Sequence, residues 1–136
     1  ILPTGKGNVV MVDGDAEVHS QAEEMLQYLG YGYRRSDTLE EALVELEKLD
    51  AEEGSNTIVI VASEANSQVF GGASIDKLRK SQPDVKIVLC CESDTIDRVE
   101  EFHDRGFDAH LQKPYQLLDL SRALNSASRR EKPNTI

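Results

Sequence analysis

Ile58-Val59-Ile60-Val61-Ala62 is a run of five apolar residues, four of them β-branched, with nothing polar between them. A strand with one face in water alternates apolar and polar side chains. A strand covered on both faces does not, so this run reads as a central strand between two helical layers. Two runs of the same kind lie on either side of it in the chain, Val9-Val10-Met11-Val12 and Ile87-Val88-Leu89-Cys90-Cys91. Two more polar candidates, Tyr31 to Arg35 and Ala109 to Gln112, suit the edges of a sheet.

Helical stripes separate these strands. Val18, Ala22, Met25, Leu26 and Leu29 form the first, closed by Gly30 as a C-cap; Leu39, Ala42, Leu43, Leu46 and Leu49 form the second, opened by the capping box Thr38-x-x-Glu41. Ile75 and Leu78 anchor a third. Ile96, Val99 and Phe102 make a fourth, stopped by Gly106, and Leu117, Leu118, Leu120, Leu124 and Ala127 a fifth. A β-α unit repeated five times implies a parallel sheet with right-handed crossovers. Polar second and fifth strands match the doubly wound order 2-1-3-4-5, in which those two are the edges. The expected organisation is one α/β domain over residues 8–128, with a flexible lead at 1–7 and a frayed tail at 129–136.

The bulk properties agree. The 136 residues are enough for one domain with one core, and 39% hydrophobic residues with 5% aromatics suit packing by Val, Ile, Leu and Ala. A formal net charge of −10 repels phosphate backbones and disfavours nucleic-acid binding; the acids read as solvated helix faces. Cys90 and Cys91 are adjacent, point to opposite faces of a strand and should not bond each other. With no disulfide framework and no zinc spacing, the expected compartment is the reducing cytoplasm. No apolar run is long enough for a membrane span, so no membrane insertion is expected. The chain opens on Ile1 rather than Met, which suggests a piece of a longer protein.

Sites in open α/β sheets form at the carboxyl ends of the strands. Strand one ends in Asp13-Gly14-Asp15, strand three in Ala62-Ser63-Glu64, strand four in Cys91-Glu92-Ser93-Asp94 and strand five in Gln112-Lys113-Pro114-Tyr115. Carboxylates after strand one facing a lysine after strand five could hold Mg²⁺ and a phosphoryl or carboxylate oxygen.

These residues resemble the receiver domains of two-component response regulators and hybrid histidine kinases. The resemblance covers roughly residues 8 to 127. It rests on Val9 to Asp13 with Asp15, on Met25-Leu26-Gln27-Tyr28-Leu29-Gly30-Tyr31, on Pro83-Asp84-Val85-Lys86, and above all on the segment Gly106 to Tyr115 with its Lys113-Pro114-Tyr115 ending. Gly5-Lys6-Gly7-Asn8 is similar to the lead of receivers fused behind a histidine kinase. The resemblance implies a flavodoxin-like (βα)₅ fold and a role in signal transduction.

The departures fall on the phosphorylation pocket that the family implies. Its second adjacent carboxylate is Gly14 here, with Asp15 one residue late. Its phosphoacceptor Asp is Ala62, its Ser or Thr after strand four is Cys91 (or Cys90 in a shifted register), its aromatic switch is His110, and its Met-Pro loop is Asn66-Ser67-Gln68. Alanine is no nucleophile, and with carboxylates missing at 14 and 62 only Asp13 and Asp15 remain as weak metal ligands, so Mg²⁺ is expected to bind weakly or not at all. The expected function is therefore that of a pseudo-receiver, not an enzyme, acting through protein–protein contacts. Lys113 and Asp13 become a residual ion pair, His110 a half-buried edge residue, Cys90 and Cys91 small core residues, and Tyr115 a packing residue at the start of the last helix. The family implies a partner face over roughly residues 94 to 127, including His110, Pro114 and Tyr115. Its expected occupant is a histidine kinase, an output domain or a second copy in a homodimer.

Two alternatives stand beside this. A receiver could be phosphorylated on Asp13 or Asp15 instead. Asp13-Gly14-Asp15 is also similar to the Asp-x-Asp motif of haloacid-dehalogenase-like phosphatases, with Asp13 as nucleophile and Asp15 as acid/base; Glu17 stands where that family has Thr or Val, and no late acidic pair follows.

Overall fold

The computed structural model describes residues 5, 7–53, 57–62, 73–91 and 106–129. In chain order these form β1 (Asn8–Val12), α1 (Ala16–Leu29), β2 (Gly32–Ser36), α2 (Leu39–Glu53), β3 (Thr57–Ala62), α3 (Ala73–Ser81), β4 (Lys86–Cys91), β5 (Ala109–Gln112) and α4 (Leu117–Arg129). The strands make one parallel sheet in the order β2-β1-β3-β4-β5, as the sequence pattern requires. The helix expected around Ile96, Val99 and Phe102 lies outside the described residues. Among the described residues no helix is long and apolar enough to cross a membrane.

The period of two splits the core in half. Val10, Val12, Val59, Val61, Ile87 and Leu89 pack against Leu39, Leu46 and Leu49 of α2 and Leu78 of α3. The alternate residues Val9, Met11, Ile58, Ile60, Val88 and Cys90 pack against Leu26 and Leu29 of α1 and Leu120 and Leu124 of α4. Each such side chain, fully buried, contributes about 1.5–3 kcal/mol. Cys90 is thus a buried core thiol.

Local chemistry sets the boundaries. Gly30 is left-handed at φ 97°, and its amide donates to Gln27 O while the Tyr31 amide reaches Leu26 O, which ends α1. A Cβ on Gly30 would also meet Gly5 O at 2.8 Å. Part of the expected flexible lead is tied here: the Gly5 amide donates to Leu29 O and Gly7 O accepts from Gly32. β2 sits one residue later than the sequence pattern placed it, because Tyr31 is spent on the α1 cap. The capping box is displaced as well. Thr38 Oγ1 accepts from the Glu41 amide, but Glu41 reaches back to the Asp37 amide rather than to Thr38. Of the stripe residues, Leu118, at 40% exposure, lies outside the core, and Val18, Met25, Leu43 and Leu117 are partly buried and pack against it. The last helix extends to Arg129, one residue into the expected tail.

Candidate functional site

β1 and β5 end on the same edge of the sheet, separated by β3 and β4, and their loops converge. Asp13, 4% exposed, follows β1. Its backbone amide donates to Ser36 O (3.0 Å), which fixes the strand end against β2. Its Oδ1 accepts from the Asp15 amide (2.8 Å) and its Oδ2 faces Lys113 Nζ at 3.5 Å. The expected Asp13–Lys113 pair is therefore formed across a hundred residues of chain. Lys113 follows β5 and the Lys113–Pro114 peptide is cis.

Asp15 does different work from Asp13. It is the N-cap of α1, with its carboxylate accepting from the Glu17 amide at 2.9 Å. That bond satisfies one of the orphan donors of the helix and places the negative charge at the positive end of the dipole. Gly14, between the two acids, is exposed, and a Cβ there would meet nothing within 4 Å. The β1–β3 register pairs Val12 with Val61, so Ala62 stands one step further, level with Asp13. On the other side Ala62 is level with Cys90, and Cys91 with Gln112.

The family that the fold resembles would imply Mg²⁺ in this place, and the donors do not fit it. One Asp13 oxygen is taken by a backbone amide and the other faces an ammonium; Asp15 is spent on its cap, and Gly14 and Ala62 offer no side-chain oxygen. Among the described residues no group of three His, Cys, Asp or Glu comes together in a way that could hold a metal.

Two neighbouring residues carry signals the sequence reading passed over. His19, on the buried face of α1, places Nε2 2.7 Å from Asp13 O and Nδ1 against the Tyr33 hydroxyl. Tyr33 belongs to β2; burial, with the charge of Glu23 second, pushes its hydroxyl well above the ordinary tyrosine range. The clue was periodicity: 19, 22, 26 and 29 are the buried positions of α1, so a polar His occupies an apolar face.

On the face that the resemblance implies for a partner, His110 is half-buried, Pro114 exposed and Tyr115 packed partly against the α1–α4 half of the core. Burial is the main cause raising the Tyr115 hydroxyl to about 12. His110, Gln112, Asp119, Arg122 and Ser126 border a groove between β5 and α4. A second groove, bordered by Val18, Gln21, Met25, Lys113 and Tyr115, runs between α1 and the β5–α4 loop.

No family model and no curated protein matches the sequence. Solved structures do match. A response regulator receiver domain protein from Clostridium thermocellum superposes with a TM-score of 0.71 at 18% identity, over 89% of this chain and 93% of that one. The Vibrio cholerae chemotaxis protein CheY4 gives 0.70 at 20% identity, over 90% and 99%. Full-length FixJ from B. japonicum gives 0.73 at 22% identity, over 93% of this chain but only 59% of that one. Likeness at these identities establishes the fold.

Proposed function

On the receiver fold that this chain adopts, we propose a pseudo-receiver: a signalling module of two-component transduction that works without phosphorylation, by binding a protein partner. The observation that carries it is Ala62 at the end of β3, level with Asp13, where the family that the fold resembles has its acceptor carboxylate. Phosphoryl transfer to an aspartate needs an oxygen nucleophile, a divalent ion and a cation to steady the phosphoryl group. Lys113 remains for the third task, but the first has no atom to perform it at 62, and the second finds too few ligands among the described residues.

The partner surface we propose is the described part of β5 and α4 with His110, Pro114 and Tyr115, and the occupant a histidine kinase or an output domain in the cytoplasm. The 59% share of FixJ that this chain spans fits a module joined to further chain. Neither Asp13 nor Asp15 is favoured as a substitute acceptor or as a phosphatase nucleophile, because each carboxylate already accepts from a backbone amide.

The test is intact mass after incubation with acetyl phosphate and Mg²⁺, beside an active receiver. No adduct is expected, whereas a stoichiometric adduct would overturn the proposal, and peptide mapping would then locate the acceptor. The double substitution Gly14→Asp with Ala62→Asp supplies the missing carboxylates where position 14 has open space; it is expected to gain an adduct that depends on Mg²⁺.

A further inference from the structure

The turn between β1 and α1 is ordered from beneath by a side chain that no phosphorylation chemistry requires. His19 is 3% exposed and sits one turn into α1, directly under Asp13. Its Nε2 lies 2.7 Å from the Asp13 carbonyl oxygen, and its Nδ1 meets the hydroxyl of Tyr33, whose ring stands edge-on to the imidazole at 73° and 6.0 Å between centroids. A carbonyl oxygen only accepts, so Nε2 carries the hydrogen. In the neutral ring Nδ1 is then the acceptor, and the tyrosine O–H is its donor. Asp37, from the β2–α2 loop, approaches Nε2 at 3.8 Å, on the same side as the Asp13 carbonyl.

We infer that His19 is a positioning residue: its Nε2–H, with the Tyr33 hydroxyl donating to Nδ1, fixes the Asp13 peptide and so aims the Asp13 carboxylate at Lys113. Three links bear on that one residue. The Asp13 amide is held by Ser36 O of β2, its carbonyl by His19 of α1, and its Oδ1 by the Asp15 amide. Tyr33 is also in β2, so the pocket turn is tied to the edge strand at two levels, by the His19 ring at position 33 and by the Asp13 amide at position 36. A groove bordered by Ala16, Ser20, Glu23 and Arg35 opens onto the same His19–Tyr33 pair. The inference stands on geometry alone and is independent of whether the pocket takes a phosphoryl group; the acetyl phosphate experiment and the one below fail separately.

The experiment is NMR on the whole chain at neutral pH. Long-range ¹H–¹⁵N spectra of the imidazole are expected to show His19 protonated on Nε2 and bare on Nδ1. In Tyr33→Phe the proton is expected to stay on Nε2, where the Asp13 carbonyl still accepts it, while the Nδ1 resonance moves because its donor is gone; an unmoved Nδ1 resonance would overturn the Tyr33 link. Hydrogen exchange then reports on the turn. In His19→Phe the Asp15 amide is expected to exchange about tenfold faster relative to the Val59 amide at the middle of β3, since its acceptor loses its anchor. His19→Gln, whose amide nitrogen can take over the bond to the Asp13 carbonyl, is expected to restore that ratio to within about twofold. An Nδ1–H or doubly protonated ring in the native protein would overturn the inference. So would an Asp15-to-Val59 ratio unchanged in His19→Phe, or a ratio in His19→Gln as high as in His19→Phe.

Discussion

The two ends of the sheet each carry a carboxylate paired with a cation, and the two pairs are built to different standards. At the amino ends of β4 and β5, Arg79 of α3 meets Asp108 at 2.6 Å, donates to Gly106 O at 2.7 Å and also reaches Val85 O. The same Asp108 oxygen accepts from the Ile87 amide, and the Asp108 amide returns a bond to Ile87 O. That is a planar guanidinium filling a cage of carbonyls around a carboxylate only 6% exposed. At the carboxyl ends, Lys113 faces Asp13 across a longer 3.5 Å, with side chains about as buried as those of the lower pair. The lower pair locks the start of β5 to α3 and β4. The upper pair lies at the carboxyl ends of the strands, which is where sheets of this topology keep their ligands. Similar charge chemistry thus serves stability at one end and a candidate site at the other, and the end of the sheet on which each pair lies tells them apart.

The largest effect should come from breaking the lower pair. Asp108→Ala strands Arg79 among carbonyls and removes the acceptor of the Ile87 amide, and is expected to lower stability by about 3 kcal/mol in a urea titration. A loss no greater than that of Lys113→Ala would abolish the distinction drawn between the two ends. Asp15→Ala should cost about 1 kcal/mol, the usual worth of an N-cap. Excess Mg²⁺ should leave the unfolding temperature of the native protein unchanged; an increase that disappears in Asp15→Ala would assign Asp15 to a metal instead of a helix. Lys113→Ala is expected to cost less than about 1 kcal/mol and to leave partner affinity nearly unaltered in a calorimetric titration. A large loss of affinity would reveal a working anion site at the upper pair.

The smallest effect is confined to alkaline solution. Tyr115 packs beside the upper pair and its hydroxyl is raised, mainly by burial, from 10.0 to about 12. Between those two values the folded state holds a proton that the unfolded chain has released. The Tyr115 contribution is therefore fully present below pH 10 and is lost as pH rises towards 12. Replacing Tyr115 with Phe should flatten that part of the stability profile and leave the neutral region alone, as read by denaturation at a series of pH values.

Much of this was legible in the chain. Unbroken apolar runs identified β1, β3 and β4, polar runs identified the edges, and the strand-end rule paired Asp13 with Lys113 before any coordinate was known. The stripe of α1 holds at Ala22, Leu26 and Leu29, while Val18 and Met25 are only partly buried against the core and the polar His19 completes the buried face. Arg79 and Asp108 gave no signal, because a charged residue in a helix and another before a strand look like solvated surface until the α3–β4 turn brings them together. Leu118 was counted into the core on hydrophobicity alone, but the first turn of α4 overhangs the sheet.

What the sequence determined by itself is chemistry and period. Alanine at 62 and glycine at 14 offer no side-chain oxygen whatever the fold, and the spacing of apolar residues dictates a covered parallel sheet because burial rewards only one pattern for each element. What only the tertiary structure decided is how each polar group is spent. Whether an aspartate caps a helix, faces a lysine or locks an arginine depends on which backbone amides and carbonyls arrive beside it, and those are delivered by segments far away in the chain.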